Sequence, residues 1–242
     1  MGNFSEILGF NIYNKDIKSL IHDEIQWNSK KVIISGNPEI LYAGLNDQEL
    51  NPCFKSSNTI IVPDGIGTVL LCRLKKKKLK EKIAGIEVLN SLLNICSERN
   101  KKVYILGSDK DTLNEAVKNI AYKFSGINIC GFRDGYFKDK DNDKIIEEIN
   151  ECSPDFLVVA LGCPKQEKFI YQNSDKMNFN VAMAVGGSID ILGGKLKRAP
   201  KWMIKIGLEW AYRVIKEPFR IRRLTVIPKF ILRGLKEKDN EY

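Results

Sequence analysis

The sequence predicts an α/β protein, with a mainly parallel sheet covered by helices on both faces and a basic amphipathic C-terminal appendage. Three observations carry this expectation. From residue 31, short apolar, β-branched runs alternate with longer stretches of helical spacing. The runs are apolar at consecutive positions, the pattern of strands buried on both faces. Residues 195–242 hold 14 Lys and Arg against 5 Asp and Glu, whereas residues 1–194 hold 25 of each, so the whole net charge of +9 lies at the C-terminal end.

In chain order, strands are expected at Val32–Ser35, Thr59–Val62, Val103–Leu106, Ile127–Cys130, Phe156–Ala160 and Val181–Ala184. Helices are expected near 38–45, 85–98, 111–124, 141–151 and 164–172, with Ser108 or Asp111 as a cap and Pro164 in a first turn. RLKKKKLKEK, residues 73–82, has no interleaved aromatics and is assigned to a solvated helix face or loop. Beyond residue 195 the texture changes, which divides the chain into an α/β domain at 1–194 and the appendage at 195–242. RAPKWMIKIGLEWAYRVIKEP has the spacing of one amphipathic helix ended by Pro218. It either lies on a membrane or packs on the sheet, where Trp202 and Trp210 would be core. Phe219–Lys236, mixing large apolar residues with Arg and Lys, is assigned to an anionic membrane surface.

At 242 residues, a scale of about 150 per domain gives between one and two domains. The longest apolar stretch, Phe156–Gly162, is far short of the ~18 residues needed to cross a bilayer. MGNFSEILGF lacks the features of a signal peptide. The six cysteines form no CxxC pair and are expected as reduced thiols of a cytoplasmic protein. With one histidine, His22, in a helix-like stretch, acid–base chemistry falls to carboxylates.

Ligands of such sheets bind at the carboxyl ends of the strands. Here those ends read SGNPE, VPDGIGT, LGSDKD, LGCPKQE and AVGGSID, with neither a GxGxxG after the first strand nor a P-loop. Asp64, between Pro63 and Gly65, is either a general base toward a sugar hydroxyl or a turn residue capping Ile66 or Gly67. Asn37 offers neutral hydrogen bonds or is a turn residue before Pro38. Asp109-Lys110-Asp111 has the form of a metal-binding DxD, yet it stands where a helix begins and acidic residues are stabilised. Gln166 and Glu167 are ligand contacts or an exposed first helical turn. Gly186-Gly187-Ser188 offers clustered N–H groups to an anion, and Asp190 is a cap or a nucleoside contact.

The strings PDGIGTVLL, GYF at 135–137, PDFLVVALGCPKQEKFI, AVGGSIDILGGKLKRAPKW and GLEWAYRVIKEPFRIRR closely resemble the WecG/TagA/CpsF family, glycosyltransferase family 26. The resemblance runs from about Ser35 to Arg223. It implies a Rossmann-like, metal-independent, inverting transferase, peripheral on the cytoplasmic face of the bacterial plasma membrane and without a cofactor. TagA-like members move N-acetylmannosamine from UDP to N-acetylglucosaminyl-diphospho-undecaprenol in wall teichoic acid synthesis, and WecG-like members move N-acetylmannosaminuronic acid. By motif, Asp64 corresponds to the general base. Ser35, Asn37 and Gln166 correspond to sugar or phosphate contacts, and Tyr136 and Asp190 to the uridine site. Thr68, Gly162, Gly186, Gly187 and Arg198 complete the substrate-binding set. Arg213, Arg220 and Arg223 correspond to contacts with the lipid diphosphate in an appendage that closes over the site. Lys82 stands where members often carry Arg, keeping the charge without the bidentate fork.

The partners implied are a UDP-sugar, a polyprenyl-diphosphate-linked acceptor and an anionic membrane, with no nucleic acid. An apolar tail off the membrane could be buried against a second subunit, so a homo-oligomer is an open expectation. Two rivals predict other behaviour. A nucleic-acid-binding protein would bind DNA or RNA with strong salt dependence. A nucleotide-sugar hydrolase or epimerase would act without lipid. A hexose or an aminouronic acid could replace the default N-acetylmannosamine.

Overall fold

The computed structural model describes residues 2–205, 208–216 and 225–237. Eight strands form one sheet in the order β1-β2-β4-β3-β8-β7-β5-β6. They are β1 (Phe4–Ile7), β2 (Phe10–Tyr13), β3 (Lys31–Ser35), β4 (Thr59–Val62), β5 (Lys102–Gly107), β6 (Asn128–Arg133), β7 (Phe156–Ala160) and β8 (Val181–Ala184). All six expected strands are present within a few residues. The sheet is parallel except for the β1–β2 hairpin, which adds to the edge through Ile12 beside Ile61. That hairpin was not expected. Its signal is local: Leu8 and Gly9, both at positive φ (55° and 69°), make the tight turn between FSEI and FNIY.

Period-two alternation sends neighbouring strand residues into two cores. Val32, Ile34, Leu157 and Val159 enter one; Ile33, Phe156, Val158 and Met183 enter the other. Helices α2 (Pro38–Asn46), α3 (Leu50–Phe54), α7 (Asn142–Cys152) and α8 (Lys165–Asn173) cover the first core. Helices α5 (Gly85–Glu98), α6 (Lys110–Lys123) and α9 (Ser188–Leu192) cover the second. Ahead of β3, α1 (Ile17–Ser19) runs into a π-helical turn at Leu20–Glu24 that carries His22, exposed and hydrogen-bonded to neighbouring Asp23. All six cysteines are free thiols.

Helix α4 (Ile66–Leu74) follows PDG directly, and the lysine-rich segment after it is irregular up to α5. The cap of α6 is Asp109, not Ser108 or Asp111: its Oδ1 accepts from Thr112 N–H. The single helix expected across RAPKWMIKIGLEWAYRVIKEP is instead, among the described residues, two short ones, α10 (Lys201–Lys205) and α11 (Glu209–Lys216). Trp202 and Trp210 are both exposed and belong to neither core. Helix α12 (Val226–Lys236) turns one face of the segment assigned to a membrane into the protein, and residues 219–224 of that segment lie outside the described residues. Phe230 is fully buried in the first core, and Gly234 lies so close to Leu71 of α4 that a Cβ there would come within 2.5 Å of it. The outward face of α12 still exposes Leu232 and Leu235.

Candidate active site

The carboxyl ends of β3, β4, β5, β7 and β8 converge on a cavity of about 510 Å³. The chain leaves β3 for β4 on one side, then crosses to β5 on the far side of β8 and β7. This reversal leaves a crevice at the strand ends, where open α/β sheets bind ligands. The cavity wall holds Ser35, Asn37, Asp64, Lys82, Tyr136, Gly162, Gln166, Gly186, Gly187 and Asp190, ten of the expected residues from all along the chain.

Asp64 sits one residue beyond Pro63, half-buried, in a turn closed by Gly65 at φ 78°. Its Oδ1 accepts from Gly65 N–H at 2.7 Å, and its Oδ2 accepts from Gly85 N–H at 3.3 Å. The second donor comes from the first residue of α5, so a helix N-terminus faces the carboxylate. Gly85 also explains how Ser35 reaches the site: a Cβ on it would lie 2.3 Å from Ser35 Oγ and 3.7 Å from Asp64 Oδ2. Asn37 caps α2, its Oδ1 accepting from Ile40 N–H at 3.1 Å, which leaves its amide nitrogen for the cavity.

Across the cavity, Gln166 is almost wholly buried. Its Oε1 accepts from Gly186 N–H at 2.9 Å and its Nε2 donates to Glu167 Oε1 at 2.8 Å. Neither residue is the exposed first-turn position considered above. At the β5 side, Ser108 Oγ donates to Asp190 Oδ1 at 2.8 Å. Ser108 also ties the loop bearing Tyr136, its carbonyl accepting from Gly135 N–H. The Tyr136 ring is 83% exposed and bridges this cavity and a shallower one walled by Phe137, Lys138 and Lys165, so one ring face is open to a planar ligand.

Two expected residues stand elsewhere, and a third lines the cavity already engaged. Thr68 is fully buried and does not line the cavity; its hydroxyl donates to Gly36 carbonyl at 2.7 Å and anchors α4 to the end of β3. Arg198 pairs with Glu87 on α5, outside the cavity wall. Asp109 does line the cavity, but both its oxygens are engaged: Thr112 N–H on Oδ1, and the Thr112 hydroxyl and Lys195 ammonium on Oδ2. Lys195 holds the Asp109 carboxyl well below the usual range. This is the chemistry of a capped, ion-paired helix start, not of a DxD awaiting a cation. Arg213 belongs to α11, and Arg220 and Arg223 lie outside the described residues.

The sequence reasoning expected the C-terminal segment over the site but did not name the four of its residues that wall the cavity: Glu209, Trp210, Val214 and Ile227. Glu209 meets Lys82 across the rim, Oε2 to Nζ 3.7 Å. The alternation of cations and large apolar residues in that segment was visible, but not which face turned inward.

The profile of the "Glycosyl transferase WecG/TagA/CpsF family" matches residues 5–242, nearly the whole chain. The chain belongs to the WecG/TagA/CpsF glycosyltransferase family. Among its relatives, a Bacillus subtilis protein is 40% identical over 210 residues, covering 87% of this chain and 81% of that protein. A Bacillus spizizenii protein is 36% identical over 211 residues, with the same 87% and 81% coverage. A Staphylococcus aureus protein is 30% identical over 239 residues, covering 96% of this chain and 92% of its own. All three are named N-acetylglucosaminyldiphosphoundecaprenol N-acetyl-beta-D-mannosaminyltransferase. Among the described residues, no helix of this WecG/TagA/CpsF member is long and apolar enough to cross a membrane.

Proposed function

We propose that this protein transfers N-acetylmannosamine from a UDP-sugar to N-acetylglucosaminyl-diphospho-undecaprenol, with inversion, in synthesis of a wall teichoic acid-like surface polymer. One observation carries the reading: the Asp64 carboxylate lines one cavity with the Gly186-Gly187 turn and accepts from the first N–H of α5. In the step we infer, Asp64 takes the proton from the acceptor hydroxyl as its oxygen attacks the anomeric carbon. The glycosidic bond to UDP breaks on the opposite face, and UDP leaves with the electron pair. The Gly187 backbone N–H and the Lys82 ammonium suit the charge that develops on the diphosphate. The step uses no metal or cofactor. The relatives' shared name supports the sugar and the lipid-linked acceptor.

The membrane would meet the protein on α4 and α12. Ile66, Leu70 and Leu74, spaced four apart on α4, are exposed beside Leu232 and Leu235 of α12, with Arg73, Lys76, Lys229 and Lys236 around them. Apolar side chains among cations suit an anionic bilayer. Ile66 and Ile227 also line the cavity, so a lipid diphosphate could reach it without leaving that face.

The test is UDP release from UDP-N-acetylmannosamine with and without a short-chain polyprenyl-diphosphate N-acetylglucosamine, in EDTA. Acceptor-dependent release is expected. Release from a different UDP-sugar alone would change the sugar assigned. Release without acceptor would favour a hydrolase and overturn the transferase reading.

A further inference from the structure

Glu167 is a carboxyl with no exposed surface, and it does not line the cavity. It stands directly behind Gln166, which does. The bonds of Gln166 determine one another. The Gly186 N–H requires the amide oxygen, so the amide nitrogen turns to Glu167 Oε1. Of the two N–H bonds on that nitrogen, one is spent on Glu167. The other meets no further partner among the described residues, at the cavity wall.

We propose that Glu167 is a positioning residue of the transfer reaction: it holds the Gln166 amide, and through it the Gly186-Gly187 turn, in the orientation that presents the second Gln166 amide N–H and the Gly187 N–H to the donor diphosphate. This inference rests on the transferase reading above and adds a residue to it.

Among the described residues, Glu167 Oε2 is buried without a hydrogen-bond partner of ordinary geometry, the Cys163 thiol being the polar side chain nearest to supply one. A neutral carboxyl tolerates that placement far better than an anion. Burial, with Glu39 of α2 adding like charge, pushes its pKa up to about 7. The other titratable groups facing it are the Cys163 thiol and the Tyr171 hydroxyl one turn further along α8, itself bonded to Thr59. None of these is a cation. The neutral acid still accepts from Gln166 through its carbonyl oxygen, whereas ionisation sets a negative charge behind the bound diphosphate.

The test is calorimetric titration of UDP into the full chain from about pH 5.5 to about pH 8.5, alongside transfer kinetics, on the unaltered protein, Glu167→Gln and Glu167→Leu. The ligand's own titration is common to all three. The unaltered protein should lose UDP affinity about tenfold through a midpoint near pH 7. Glu167→Gln should bind within about threefold of it at low pH and lose that fall. Glu167→Leu, which removes the acceptor for Gln166, should weaken binding about tenfold at every pH and raise donor KM more than it lowers kcat. An unchanged fall in Glu167→Gln, or unchanged affinity in Glu167→Leu, overturns the proposal. Should Glu167→Leu not fold, Glu167→Gln decides alone. UDP binding without transfer by the unaltered protein counts against the transferase reading and leaves the Glu167 comparison standing. No UDP binding at any pH overturns both.

Discussion

Lys82, from the loop before α5, and Glu209, at the start of α11, meet at 3.7 Å on the rim of the cavity. The pair joins the sheet domain to the C-terminal segment where a donor diphosphate would lie. A partly exposed pair of this kind is worth at most about 1 kcal/mol of stability. Lys82→Ala is therefore expected to leave the melting temperature nearly unchanged while lowering kcat/KM about tenfold through loss of charge on the leaving group. Equal transfer by the variant would remove Lys82 from the site.

Asp64→Asn keeps the size of the side chain and an acceptor oxygen for one backbone N–H, so the fold should survive. Turnover should drop by about 10²–10⁴, the usual contribution of a general base. Steady-state kinetics with circular dichroism on the same sample checks both halves.

Gly85→Ala separates the site from the fold. At the first position of α5 an alanine costs the helix nothing and contributes up to about 1 kcal/mol. Its Cβ, however, would stand 2.3 Å from Ser35 Oγ and close to Asp64. The expected outcome is a protein as stable as the original within about 1 kcal/mol with severely reduced kcat. Normal kcat would mean that Ser35 can rotate away without consequence.

Phe230→Ala tests the seating of α12. Emptying a fully buried aromatic site costs about 3–5 kcal/mol. Denaturant unfolding should show that loss, and transfer to a lipid acceptor should fall with it, because Ile227 on the same helix lines the cavity.

Glu167 also makes stability depend on pH. Its pKa rises from 4.5 in the unfolded chain to about 7 in the fold. Below pH 4.5 both states hold the proton. Between 4.5 and about 7 only the unfolded chain ionises, so stability declines as pH rises, then levels off. The difference corresponds to about 3 kcal/mol. Glu167→Gln should lack this decline, so the gap between its stability and that of the unaltered protein should shift in its favour from acid to alkaline pH. Parallel curves would mean that Glu167 titrates in the fold as it does in the unfolded chain.

The amino-acid sequence by itself determined the parallel sheet, because buried strands and amphipathic helices are written in local periodicity. It also singled out Asp64, Asn37, Gln166 and Asp190, because each follows a strand and strand ends converge in such sheets. It could not decide what each side chain does there. Thr68 sits in the same PDGIGT motif as Asp64, yet turns inward to the Gly36 carbonyl, a choice made by the packing of α4 against β3. Glu167 is adjacent to Gln166, but the helix rotation between them sends one to the cavity wall and the other behind it. Residues 226–236 had the composition of a membrane segment. Only the tertiary structure revealed the groove between α2 and α4 that takes Phe230, because contacts between residues so far apart in the chain leave no periodic trace in it.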